Sequence, residues 1–440
     1  TDIVYQATWN TNGSRILTAS RDGTARVWDA KSGAELVALS GHTDGVKQAV
    51  WSADGSRILT ASSDGTARVW DAETGRELMA LSGHTDTIWY AIWNADESRV
   101  LTASSDGTAR VWDAQTGAEL SVLSGHSSLV LDATWNGDES QILTAGDDRT
   151  ARVWDAESGD ELAVLSGHTD IVEHATWNAD GTRILTASWD GTARVWDAGT
   201  GFELPVLSGH TQPVWHVAWN TDESQILTAS EDGTARVWDT ETGAELVVLS
   251  DNAASVDGAV WNADGSRVLT AGADDTARVW DAQTGAELLA FSGHTDRVYQ
   301  AIWNADGSRV LTASADNTAR VWDAETGAEL AVLSGHTDTV AQAIWNADES
   351  RILTASWDGT ARVWDAKTGD QLAVLARHAA PVAQAIWNAD ESRVLTTGSD
   401  GTARVWDAKC GAAVWALSGH AEMVGQARWN AVGGGILTAG

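Results

Sequence analysis

Cysteine is nearly missing from the 440 residues: Cys410 alone excludes an internal disulfide framework and any zinc site built from cysteines. Basic residues are scarce, 28 against 62 acidic ones, and the formal charge of −34 repels phosphate backbones and anionic lipid surfaces. A general nucleic-acid or membrane binder is thereby disfavoured, whereas cationic, neutral and protein partners stay open. No apolar run approaches the ~18 residues that a membrane-spanning helix needs. Only 3 Pro, 2 Phe and 3 Tyr occur, yet there are 26 Trp and 42 Gly. Tryptophan has taken over the aromatic work, and a skew of that kind points to a repeat. We expect a cytoplasmic protein whose native N-terminus is not Thr1.

The repeat is explicit. Trp-Asp recurs at Trp28, Trp70, Trp112, Trp154, Trp196, Trp238, Trp280, Trp322, Trp364 and Trp406, always 42 residues apart. A second ladder keeps the same step from Trp9 through Trp51 and Trp93 to Trp387 and Trp429. Within a period, four apolar or β-branched runs alternate with turn residues. In the second copy the runs are Val46 to Trp51, Arg57 to Ser62, Ala67 to Asp71 and Glu77 to Leu81, separated by Asp54-Gly55, Asp64-Gly65, Thr74-Gly75 and Gly83-His84. Each period is therefore one four-stranded antiparallel sheet. Such a sheet cannot bury both faces alone, so the copies must pack on each other, and packing with twist about an axis gives an all-β propeller. The blades are expected at 1–42, 43–84, 85–126, 127–168, 169–210, 211–252, 253–294, 295–336, 337–378 and 379–420, with a half blade at 421–440.

Gly-His, about twenty residues, an Asp-Gly turn and then Trp-Asp closely resemble the WD-repeat (WD40) propeller family along the whole chain. The resemblance implies a tetrad in each blade, here His42, Thr60, Asp64 and Trp70, although Ser62 alternates onto the same face as Thr60. The chemistry is sound, since buried indole, hydroxyl, imidazole and carboxylate groups each need a partner. Nine of the 11 His lie at the tetrad position, which makes them structural; no metal or cofactor is expected. Asn252 stands where the seventh blade would carry His. The ends share one phase, because residue 421 stands ten periods after residue 1. A single ring of ten or eleven blades is expected, His420 completing a tetrad with Asp22 and Trp28 if there are ten. The duplicated end, with its atypical Arg428 and Gly433-Gly434-Gly435, leaves strand exchange between chains open beside a monomer.

The copies differ mainly at the start of the first strand and just before the tetrad Asp. An odd step between the apolar residues Val46 and Ala49 calls for a bulge that pushes Lys47 and Gln48 outward together. In the resembled family the corresponding positions lie on the upper face and contact partners. That implies Tyr5, Arg21, Lys47, Trp89, Tyr90, Leu131, Glu173, His174, Trp189, Trp215, His216, Glu231, Arg297, Tyr299 and Trp357 as partner-binding residues. Exposed Trp, Tyr and Arg are the usual anchors of protein interfaces. Trp415, on an outer strand, reads as packing. The leading function is a non-enzymatic scaffold or sensor for a protein or peptide, resembling the repeat arrays of bacterial and fungal signalling NTPase receptors. Two alternatives stand beside it: a structural or engineered repeat without a ligand, and an enzyme or metal site at Glu173, His174 and His216 should those three converge.

Overall fold

The computed structural model describes residues 4–250 and 255–417. Their order is strand after strand, and among them no helix is long and apolar enough to cross a membrane. The first sheet consists of β1 (Val4–Trp9), β2 (Arg15–Ser20), β3 (Thr24–Asp29) and β4 (Glu35–Ser40), paired in sequence order. Nine further sheets repeat this meander through residue 417, so the described chain forms ten blades. In the second blade the third strand starts at Thr66 and the fourth ends at Ser82, each one residue beyond the apolar run. Thr66 joins because its hydroxyl and amide both bond the Asp64 carboxylate, which extends the ladder into the turn.

Each apolar core lies between blades. Leu17, Ala19, Ala25, Val27 and Leu39 of the first blade meet Val46, Ala49, Ile58, Trp70 and Ala72 of the second. The same arrangement recurs at every junction and also joins the last blade to the first, where Ile386, Leu395, Ala403 and Val405 pack on Ala7, Ile16, Trp28 and Ala30. Polar contacts close the seam in phase. Arg57 reaches the Ala114 carbonyl of the next blade at 3.1 Å and Arg99 reaches Ala156 at 3.0 Å; Arg393 makes the equivalent bond to Ala30. Trp415 fills the gap beside Gly33 and donates its indole N–H to the Lys31 carbonyl at 3.0 Å. A ten-blade ring thus forms without the terminal half blade. Residues 421–440, His420 and Asn252 lie outside the described residues.

The bulge is present in the first strand of every blade; in the second, Val46 opposes Ser62 but Gln48 opposes Ala61. Its consequence differs from the expectation for one of the two residues. Lys47 turns to the rim, whereas Gln48 turns to the junction and accepts the Ala91 N–H at 2.8 Å. Gln6, Gln300 and Gln342 clamp the next blade in the same way. First strands of successive blades touch, so these glutamines tie neighbouring inner strands around the axis.

On the opposite face, the turn after the first strand carries glycine in some copies and glutamate in others. Glu349 sits there with φ of 57°, a left-handed conformation that a side chain adopts only at a cost. Its carboxylate repays that cost across the junction by accepting from Asn304 at 2.8 Å, the Ala305 N–H at 2.6 Å and Arg309 at 3.0 Å. Glu349→Ala keeps the strain and loses the clasp, whereas Glu349→Gly loses the clasp but relieves the strain. Urea titration is expected to place the glycine variant about 1 kcal/mol above the alanine variant, with both below the parent.

Candidate functional site

Fixed hydrogen bonds build the upper rim. Among the described residues eight of the ten blades carry a buried relay, and the first and seventh carry its Trp–Thr bond. In the second blade Trp70 donates its indole N–H to Thr60 Oγ1 at 2.9 Å, Thr60 meets His42 Nε2 at 2.7 Å, and His42 Nδ1 meets Asp64 at 3.0 Å. Ser62 stays outside the relay and instead bonds the Asp44 carbonyl at 3.0 Å. Burial raises the Asp64 carboxyl, but bonds from His42, the Thr43 amide and the Thr66 hydroxyl outweigh it and hold the group below the ordinary carboxylate range. In the third blade burial pushes His84 down while Asp106 pulls it back, leaving it below its ordinary value; Asp106 is lowered to about 2. A neutral imidazole donating through Nδ1 fits both. The relay pins the turn, and the residue before each tetrad Asp then donates its N–H to the carbonyl that opens the first strand. Ser105 bonds Thr87 at 2.9 Å, Trp189 bonds Ile171 at 3.1 Å, and Glu231 bonds Pro213 at 3.2 Å. Three variable positions per blade are thereby gathered on one rigid edge.

The rim carries five of the six large exposed aromatics among the described residues, Trp89 at 44%, Trp189 at 38%, Trp215 at 40%, Tyr299 at 36% and Trp357 at 45%; the sixth, Phe202, lies just before an outer strand. They fall into three groups. Lys47 stands 4.4 Å over the Tyr5 ring and 5.0 Å from Trp89, and donates to the Tyr5 hydroxyl at 3.2 Å. Trp89 is steadied by its indole N–H on Ser105 Oγ at 2.7 Å. Arg297 lies 5.3 Å over Tyr299, which meets Trp357 at 6.0 Å. Trp189 and Trp215, from adjacent blades, meet edge to face with centroids 5.7 Å apart and planes at 65°. Arg21 and Glu231 are exposed on this edge, and Leu131 and Glu173 are half-buried.

Tyr90, His174 and His216 sit one residue further along, at the position where Gln48 forms its clamp. Tyr90 packs into the junction with the fourth blade. His174 Nδ1 lies 3.7 Å from Asp132 of the preceding blade. His216 has a buried Nδ1 without a hydrogen-bond partner, and burial, with His174 adding to it, pushes the imidazole down to about 4. Glu173 takes the bulge place that Lys47 takes in the second blade, one residue before the position of His174. Among the described residues no three His, Cys, Asp or Glu side chains are grouped as metal ligands. Asp132 and the glutamine clamps escaped the sequence reading. Comparing the copies at that one position, where Gln gives way to Tyr, Asp, His, His and Gly in the third to seventh blades, carries the signal.

The WD domain, G-beta repeat family matches ten segments: 1–29, 33–71, 75–113, 117–155, 159–197, 201–239, 243–281, 285–323, 327–365 and 369–407. The chain belongs to the WD40 family. WD40 propellers are typically protein-interaction scaffolds and generally not enzymes. No curated protein matches the chain. Among solved structures it is similar to the computationally designed Ika8 protein, at 29% identity and a TM-score of 0.52, over 76% of this chain and 99% of that one. This WD40 ring therefore has a likeness to a designed protein as well as membership of the family.

Proposed function

We propose that this WD40 ring, treated as one unit over residues 1–440, is a non-enzymatic scaffold that takes a protein or peptide partner on its upper rim. The concentration of exposed aromatics at the variable positions carries the reading. Trp89, Trp189, Trp215 and Trp357 are large, rigid and partly solvated, and such residues supply most of the energy at protein interfaces. The buried relay beneath them is nearly constant from blade to blade. We take the scaffold as a monomer in the cytoplasm, whose reducing environment suits the exposed thiol of Cys410.

A specific observation favours a second reading. The likeness to a designed protein, together with near-identical copies, suits an engineered repeat with no ligand of its own. A cell-lysate pull-down separates the two. The parent chain is compared with one carrying Trp89→Ala, Trp189→Ala, Trp215→Ala and Trp357→Ala, thermal melts confirming that both are folded. We expect specific partners to fall at least about tenfold on the variant, as loss of anchors each contributing on the order of 1–2 kcal/mol requires. Equal capture by both chains, or none by either, supports the ligand-free repeat.

A further inference from the structure

Two of the three aromatic groups on the rim already hold a cation supplied by the chain itself. Lys47 lies between Tyr5 and Trp89, and Arg297 covers Tyr299 beside Trp357. The third group, Trp189 and Trp215, is an exposed edge-to-face pair, with two indole planes at 65° and 5.7 Å between centroids. Among the described residues no lysine or arginine stands over either ring. Charge around the rim is divided in the same sense. Where the cation-filled groups carry Arg21, Lys47 and Arg297, the equivalent positions in the fourth to sixth blades carry Asp147, Glu173 and Glu231 and no basic residue. Glu173 is the second residue of the inner strand of the blade that bears Trp189, and Glu231 precedes the tetrad Asp of the blade that bears Trp215. The backbone bonds Trp189 to Ile171 and Glu231 to Pro213 hold these carboxylate-bearing segments beside the two rings.

We propose that the Trp189–Trp215 wedge receives a cationic side chain, arginine or lysine, from the partner. This rests on the rim being the recognition surface. The rim already sets a cation against its own aromatics twice. An indole face attracts a cation through its quadrupole, and flanking carboxylates add Coulomb attraction at the rim of a strongly acidic protein. A guanidinium can stack on one indole while its edge faces the other, which favours arginine over lysine. Arg149, exposed in the turn after Asp147, is the one lysine or arginine in the upper turns of the fourth to sixth blades, so its removal tests for intramolecular competition.

The test follows the indole N–H signals of Trp189 and Trp215 by NMR, assigned through Trp189→Phe and Trp215→Phe. The titrants are N-acetyl-arginine methylamide, its lysine counterpart and the neutral citrulline counterpart. We expect saturable shifts at both indoles with arginine, at a Kd on the order of millimolar, and about tenfold weaker binding of citrulline. Glu173→Gln with Glu231→Gln weakens arginine about threefold or more, and added salt does the same. Arg149→Ala strengthens it or leaves it unchanged. Citrulline binding as well as arginine, or an absence of shifts at these two indoles, overturns the proposal. If the wedge ignores cations while partner capture still needs the four tryptophans, the cation inference alone falls. If capture does not need them, the rim reading falls first.

Discussion

Replacing Trp112 by alanine lowers the unfolding free energy by about 3–5 kcal/mol, the range for deleting a fully buried tryptophan. The indole plugs the junction of the second and third blades, between Leu59, Val69 and Leu81 on one side and Ile88, Ala91 and Val100 on the other. It is also the first donor of a relay: its N–H bonds Thr102 at 2.9 Å, Thr102 meets His84 at 2.8 Å, and His84 meets Asp106 at 2.9 Å. Removing the ring therefore leaves a cavity and an under-satisfied hydroxyl together. Trp112→Phe separates the two contributions, because it retains much of the apolar contact and loses only the N–H. Urea titration followed by circular dichroism is expected to rank parent, Phe and Ala in that order, with Phe about 1–3 kcal/mol below the parent. An alanine variant as stable as the parent would refute the packing described for every junction.

Lowering the pH from 7 to 4 destabilises the ring, and the loss begins near pH 6.5. The folded state lowers the affinity of His216 for its proton, from the ordinary 6.5 to about 4. His84, His126, His210 and His336 are pushed down as well, chiefly by burial. A depressed histidine adds stability that is complete above its unfolded value and is lost as the pH falls through its folded one. Below pH 4 the tetrad carboxylates act in the same direction. Asp190, Asp316, Asp358 and Asp400, like Asp64, are held low by bonds from their histidines and neighbouring threonine or alanine groups that outweigh burial, so the unfolded chain takes up protons first. His216 alone accounts for on the order of 3 kcal/mol between pH 7 and 4, at about 1.4 kcal/mol per pKa unit. His216→Gln tests the assignment. It removes the titrating group and installs the residue that clamps the next blade elsewhere, so stability falls less steeply between pH 6.5 and 4 while stability at pH 7 is retained. A variant with the parent's pH profile would show that His216 does not drive this limb.

The fold was legible because its signals are local and repeated: a turn every ten or so residues, a period of 42, and runs of strand length between. What escaped depended on register or on the neighbouring blade. Gln48 and Lys47 are adjacent in sequence, yet the bulge sends one to the junction and the other to the rim, and no propensity distinguishes them. Glu349 reads as an ordinary polar turn residue, since its left-handed backbone is tolerated only because Asn304, Ala305 and Arg309 of the blade before it converge on the carboxylate. At the rim, variability marked where the site lies but not how it is organised. That Lys47 and Arg297 cover their own aromatics while Trp189 and Trp215 pair with each other follows from side-chain placement across blades, which a list of variable residues does not contain.

Hydrogen exchange on the complex of the full chain with its captured partner tests the central claim, that constant residues build the ring and the variable rim does the recognising. The account predicts slowed exchange at the starts of the inner strands and the residues before each tetrad Asp, around Trp89, Glu173, Trp189, Trp215, Glu231 and Trp357, with none on the outer strands that begin at Glu35, Glu77 or Glu119. Protection confined to those outer strands, with the rim exchanging as freely as in the unbound chain, would contradict it.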